Sequence, residues 1–311
     1  MPSLSMSRAI PRGLAWLTSL WLVGAAGAFA AGGDGTDLAN RIYHREDGET
    51  MLSCGTMELT QKGHAPRRRG LFSYTRDNAQ NDFWSLIRFT TPDDIAGTAL
   101  LSEDLGSKAE SQWVYLPALG RSRRISSKRK GGRFVSSDLY YEDLQDRKVE
   151  EDKHTILGTE ACPGSSQSCT MLESIPTEKG NSAYSRRVSW VDEQTLIAMR
   201  IDFYEKGGSK PTKQFKVEKY KKIDGYWTIT DSTMTELKSG HSTRTRLHRV
   251  IYDPTFSAEF APDPTGQAIF SRALLEDEER EQGYRYPLVA KYVPGVGKDG
   301  VLAADCNPDE Q

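Results

Sequence analysis

Ser85-Leu-Ile-Arg-Phe-Thr-Thr-Pro92-Asp-Asp-Ile-Ala-Gly97-Thr-Ala-Leu-Leu101, then Trp113-Val-Tyr-Leu-Pro117, then Phe134-Val-Ser-Ser-Asp138-Leu-Tyr-Tyr-Glu142-Asp143-Leu144, is the stretch that decides the fold. Segments 83–90, 98–103 and 112–116 alternate apolar and polar residues, and Pro92-Asp93-Asp94 and Gly120 supply turn signals. Short runs of period two broken by such turns are antiparallel strands.

Working outward, the same pattern extends over most of the chain. Upstream, 50–61 and 66–76 alternate around Lys62-Gly63. Downstream, 153–161, 169–175, 184–191, 196–204, 212–223, 226–237 and 243–252 alternate, and Lys206-Gly207-Gly208, Asp224-Gly225 and Ser239-Gly240 supply hairpin turns. One helix precedes them. Asp34 or Thr36 caps it, it runs to about Glu46, and Leu38, Ile42 and Tyr43 fall on one face. The sequence therefore predicts a mainly antiparallel β protein, a meander of about eleven strands. A sheet of that size must curl, because strongly twisted open sheets rarely stay flat.

Residues 1–30 stand apart. Arg8 and Arg12 precede an apolar run over 14–26, and Ala28-Phe29-Ala30 has the small-x-small form of a secretion signal. The run falls short of the roughly twenty apolar residues of a membrane span. A soluble exported chain beginning near Ala31 is expected, with no cysteine after the cleavage point to take a lipid. The remaining residues read as one domain over 31–276 and an irregular tail over 277–311, where Pro287, Pro294, Gly295 and Gly297 interrupt any pattern.

The net charge of −2 arises from 41 Lys+Arg against 43 Asp+Glu, so no global field favours nucleic acid. Four cysteines suit an oxidising compartment. Cys162 and Cys169 flank the turn Pro163-Gly-Ser-Ser-Gln-Ser168 between two alternating segments; a symmetric hairpin places the thiols opposite each other, as a cross-strand disulfide or as two half-buried thiols. Cys54 and Cys306 can pair only if the tail returns to the sheet. The spacings match no zinc pattern, and neither metal nor cofactor is called for.

Alternation also assigns faces. Ile197, Met199, Ile201 and Phe203 point one way while Arg200 and Asp202 point the other, and Trp227 and Ile229 precede the polar Asp231 and Thr233 on one side of their strand. The concave face is thus expected to be apolar but not sealed. With no long helical segment in the second half, its cover must come from the first helix, from 118–148 and from 267–281.

The three quoted phrases, in this order and spacing, resemble the outer-membrane lipoprotein-sorting family of LolA-like periplasmic carriers. The resemblance extends from the opening helix through Phe270-Ser-Arg-Ala-Leu-Leu275 and departs at two positions: Ser136 stands where glycine is expected, and Leu139 where phenylalanine is expected. It implies a strongly curved, unclosed half-barrel with a helix-and-loop lid and a hydrophobic cavity, located in the periplasm and binding lipid or a lipidated protein without chemistry. It also implies an RND-type inner-membrane transporter or an outer-membrane acceptor as partner, for a carrier acting as a monomer. Related folds outside that family serve as periplasmic sensors that dock on a membrane partner, which is the alternative. The expected cavity lining is Leu86, Phe89, Trp113, Tyr115, Ile197, Met199, Ile201, Phe203 and Trp227, although alternate-position aromatics such as Trp113 and Tyr115 are more often packed core.

Arg121-Ser-Arg123-Arg124-Ile-Ser-Ser-Lys128-Arg129-Lys130-Gly-Gly-Arg133 is the strongest charge feature. Arg121, Arg123, Arg124 and Arg133 either meet anionic head groups or an acidic partner at the rim, or form a solvated loop balanced by Asp138, Glu142, Asp143 and Asp146. An enzyme is the rival class. The five histidines, His44, His64, His154, His241 and His248, sit in no nucleophile elbow or His-Glu-x-x-His motif; His241-Ser242 with Ser232 is the nearest approach to a catalytic pair.

Overall fold

The computed structural model describes residues 33–77, 82–105, 111–178, 180, 182–292 and 295. The expected secretion signal and Cys306 lie outside the described residues. The strands are β1 Gly33–Asp34, β2 Thr50–Thr60, β3 Arg67–Asp77, β4 Asp82–Thr91, β5 Ala99–Leu105, β6 Ser111–Leu116 and β7 Arg121–Arg124, then β8 Asp152–Ala161, β9 Ser168–Pro176, β10 Arg186–Asp192, β11 Ile197–Tyr204, β12 Lys213–Ile223, β13 Tyr226–Glu236 and β14 Ser242–Tyr252. All fourteen form one sheet in the order β1-β8-β9-β10-β11-β12-β13-β14-β2-β3-β4-β5-β6-β7, with every pairing antiparallel. The sheet is not closed into a barrel, as the half-barrel expectation requires. The count exceeds about eleven partly because β1 and β7, two and four residues long, are too short to show alternation.

One segment shows which way the sheet curls. Gln112 in β6 donates from Nε2 to the Tyr141 carbonyl at 2.9 Å, and Lys213 in β12 donates from Nζ to Asp143 at 3.1 Å. Those strands stand seven places apart in the sheet, roughly 34 Å along a flat surface at about 4.8 Å per strand. Tyr141 and Asp143 are two residues apart, which spans about 7 Å at most. The sheet must therefore wrap around residues 134–151. The row Leu59, Thr243, Met234, Phe215, Ile201, Ser189, Leu172, Ile156 runs in register across eight strands of this concave face.

The lid over that face is built as expected, from the first helix and from the long irregular connection. The helix α1, Thr36–Tyr43, starts where the Asp34 carboxylate accepts from the Thr36 backbone N–H at 2.9 Å. Its Leu38 and Ala39 pack on Leu172 and Val191. Gly35 permits this approach, since a Cβ there would lie 2.5 Å from Leu172 Cδ1. In the connection, Phe134 is fully buried against Met57, Leu59, Leu71, Phe89 and Leu100. Val135 and Ser136 there have φ of 43° and 62°, left-handed values that cost roughly 1–2 kcal/mol for each non-glycine residue. That backbone explains why glycine is expected at position 136.

The C-terminal segment corrects two expectations. Rather than joining the lid, 267–281 covers the opposite, convex face; and rather than being irregular beyond Glu276, the chain is helical to Tyr292. Helices α2 Arg272–Leu275, α3 Glu278–Gln282 and α4 Tyr286–Tyr292 bring Phe270, Leu274, Leu275, Tyr284 and Leu288 onto Leu52, Phe72, Tyr74, Leu86 and Leu101. Gly283 is required by this packing, because a Cβ would sit 1.8 Å from the Phe260 carbonyl oxygen. Arg88 fastens the segment: Nη2 donates to the Leu274 and Leu275 carbonyls, each at 3.0 Å, supplying partners for the C-terminal end of α2. Short helices with proline at position 287 carry too little periodicity to be read from sequence.

Candidate functional site

The lid is held to the sheet mainly by acids of the 134–152 stretch, each placed against a basic or hydroxyl partner on a strand or neighbouring loop. Lys213 is almost fully buried, and its ammonium donates to Asp143 and to the Tyr184 hydroxyl at 3.1 and 2.8 Å while lying 3.4 Å from the Tyr140 ring centre. Burial lowers the Lys213 pKa below the ordinary lysine value, and Asp143 only partly offsets this. Burial, reinforced by Asp143, raises the Tyr184 phenol far above its usual range, so it stays a donor. Asp138 accepts from Arg133 at 2.9 Å and from Thr243 at 2.8 Å, and its carboxylate lies 2.6 Å from His241 Nδ1. Glu142 accepts from Ser182 and from the Ala183 N–H; Asp152 accepts from Arg147 and Arg187; Lys148 bridges Asp104 and the Tyr43 hydroxyl.

The acids are therefore committed to the interior. Of the basic residues upstream, Arg133 pairs with Asp138 and Glu236, whereas Arg121, Arg123 and Arg124 are exposed and have no ion-pair partner among the described residues. The expected balance forms at Arg133, through Asp138, and not at Arg121, Arg123 or Arg124.

At the opposite end of the concave face the sheet and the 45–49 turn form an open-sided cavity of about 220 Å³. Met51, Thr75, Leu247 and Tyr252 contribute from the concave rows, joined by Phe83 and Ile229, while Arg45, Asp47, Glu49 and Asp77 form a charged rim. Burial raises the Asp47 carboxyl above its ordinary value, with Arg45 opposing. An apolar floor with an ionic rim is the arrangement that holds an amphiphile by its chain and leaves its polar end wet.

None of the nine residues expected to line a cavity lines this one. Phe89, Ile201 and Phe203 do face the lid, where Phe89 meets Phe134 at 5.6 Å between ring centres and Phe203 meets Tyr184 at 4.6 Å. Leu86, Trp113 and Tyr115 lie instead on the convex face in the core beneath α2 to α4, with the Arg272 guanidinium 4.2 Å from the Trp113 ring. Their register fixes this, since Leu86 pairs with Tyr74 and Leu101, and Leu101 with Trp113. Ile197, Met199 and Trp227 gather in a separate cluster with Trp190, Cys162 and Cys169, where irregular register in the β10–β11 and β12–β13 pairs ends the simple alternation. Cys162 and Cys169 are disulfide-bonded, with Cα atoms 4.9 Å apart. Cys54 is not a free thiol, but its expected pairing with Cys306 falls outside the described residues. Met51, Phe83 and Leu247 were not distinguishable beforehand, because what singles them out is the missing cover over one end of the face.

A family model described as an uncharacterised protein matches residues 81–260. No curated protein matches. A solved DUF1329 family protein from Desulfovibrio piger is 30% identical, with a TM-score of 0.69 over 78% of this chain and 97% of that one. The chain belongs to the DUF1329 family. A domain from Vibrio parahaemolyticus named for outer-membrane lipoprotein sorting is 28% identical, with the same TM-score and the same shares of each chain. A LolA superfamily protein from Nitrosomonas europaea, 16% identical, has a TM-score of 0.56 over 71% of this chain and 94% of that one and shares the fold. The resemblance read from the three phrases thus holds: this DUF1329 protein is a LolA-like half-barrel, and one of its neighbours is named for outer-membrane lipoprotein sorting. No helix among its described residues is long and apolar enough to cross a membrane.

Proposed function

We propose that this protein is a periplasmic carrier that takes up a lipid or the acyl portion of a lipidated protein on its concave face and releases it without covalent chemistry. The single observation that carries the reading is the cover of that face: an irregular segment fastened by side-chain contacts rather than by strand pairing. Each acyl methylene returned to water costs about 0.8 kcal/mol, so a sixteen-carbon chain in transit would cost on the order of 12 kcal/mol. A carrier removes that barrier only if it both shelters the chain and lets it go.

The cavity of about 220 Å³ is smaller than the roughly 300 Å³ at which ordinary ligand pockets begin, and Phe134, Leu139, Tyr140 and Tyr141 fill the space above the sheet. Loading therefore requires the lid to move. Its two left-handed residues carry strain of roughly 1–2 kcal/mol each, which favours displacement. A carrier of this kind needs a donor and an acceptor, and an RND-type inner-membrane transporter and an outer-membrane acceptor fit those roles. The test is to extract the purified protein with organic solvent and identify what is released by mass spectrometry. A phospholipid or lipidated peptide at near-stoichiometric yield is the expected result; an extract identical to that of an unrelated periplasmic protein overturns the proposal.

A further inference from the structure

The net charge of −2 conceals a separation along the strands. The β2–β3 turn, the β6–β7 turn and the segment leading into the lid lie at one end of the sheet, because β2 and β6 end there and β3 and β7 begin there. Stretches 61–70 and 117–137 contain eleven Lys and Arg and no Asp or Glu, against the two exposed acids Asp93 and Asp94 of the β4–β5 turn at the same end. Arg67, Arg121, Arg123, Arg124, Lys128 and Arg129 are exposed and have no ion-pair partner among the described residues. The cavity rim, with Asp47, Glu49 and Asp77, is at the other end.

Amid these cations Leu119 stands 44% exposed on the turn Pro117–Leu119. Arginines on a short edge strand also block edge-to-edge pairing, which accounts for β7. It does not account for the same charge on 61–70 and 128–130, nor for an exposed leucine between them. A cluster of unpaired cations around a protruding apolar side chain is the two-part signature of attachment to an anionic bilayer, in which charge attracts and the apolar group inserts.

We infer that this end of the protein docks on an anionic membrane surface, with Arg121, Arg123 and Arg124 on the head groups and Leu119 in the interface. The inference stands apart from the carrier reading, since it concerns the empty protein. It is tested by sedimentation with vesicles, using protein that lacks the apolar stretch 14–26, which would itself bind bilayers; every described element lies downstream of it. Vesicles containing phosphatidylglycerol should bind the protein, and high salt should release it; vesicles of phosphatidylcholine alone should not bind it.

Each cation near an anionic surface contributes about fivefold, so combining Arg121→Gln, Arg123→Gln and Arg124→Gln should weaken binding about a hundredfold without lowering the melting temperature. Leu119→Ser should weaken it several-fold. The control combines Lys219→Gln, Lys221→Gln and Lys222→Gln, three exposed cations toward the other end of the sheet, and should bind like the parent. Equal binding to both vesicle types, no binding to either, as for a surface that meets only an acidic protein, or equal losses in the arginine and lysine variants overturns the inference.

Discussion

Arg88 in β4 and Glu281 in α3 are 193 residues apart in sequence and meet at 3.1 Å with neither side chain exposed to water. Tyr74 and Arg285 also donate to the same carboxylate, Arg285 from Nη2 at 2.6 Å. Burial alone would raise the Glu281 carboxyl, but Arg285 and Arg88 overcome it and hold it below the ordinary glutamate value. A depressed carboxylate stabilises the fold fully above its unfolded pKa of about 4.3, and that contribution is lost as pH falls through the lower folded value. The helical cover on the convex face should therefore loosen in acid below about pH 4. Limited proteolysis across a pH series should show cleavage between residues 254 and 292 appearing before the sheet unfolds. Glu281→Gln, which cannot be deprotonated, should remove that step from the pH profile.

Lys213→Met leaves Asp143 buried with one fewer partner. Removing one member of a buried ion pair costs about 3–5 kcal/mol, and because Tyr184 still donates to Asp143 at 2.9 Å the lower figure is expected, about 3 kcal/mol. Pairing Lys213→Met with Asp143→Leu should recover most of the loss. Denaturant titration measures both, and additive losses would show that the two side chains do not act as a unit.

Binding substitutions separate the two faces. Met51→Asp at the cavity floor and Ile201→Asp beneath the lid should each reduce co-purifying lipid severely while the protein remains folded and exported. Trp113→Ala on the convex face should cost up to about 3 kcal/mol, the low end for an aromatic truncation because Trp113 is half-buried, and leave lipid yield per folded molecule unchanged. Lipid loss in Trp113→Ala with full retention in Met51→Asp would reverse the assignment.

Ser136→Gly should raise stability by up to about 1 kcal/mol, because glycine adopts positive φ without strain while adding some freedom to the unfolded chain. Ser137→Gly is the contrast: Ser137 is buried at φ −77°, where glycine gives no relief, so the change should be destabilising. Thermal melts of the two variants give the comparison.

Much of this architecture was written locally. Alternation in 196–204 and 226–237 marked strands β11 and β13, and Asp224-Gly225 marked the turn before β13, because a side chain's face and a turn's φ are properties of a few consecutive residues. The same reasoning stopped at register irregularities. Ile197 and Met199 were placed with Ile201 and Phe203 by parity alone, and the β10–β11 irregularity after Trp190 separates them. Leu86 looked like a cavity wall because one apolar face of a strand resembles the other until something covers one of them.

The sequence by itself determined an antiparallel curled sheet, the opening helix, the Cys162–Cys169 hairpin and the family, since each depends on short-range pattern or a recognisable phrase. Only the tertiary structure decided which face is concave, that residues beyond Glu276 are a helical cover rather than a loose tail, and that the acids of the lid meet Lys213, Arg187 and His241, with Arg133 the one arginine of the basic stretch to join them. Those outcomes turn on contacts between residues tens to hundreds of positions apart, whose energies depend on burial and distance and leave no periodic trace along the chain.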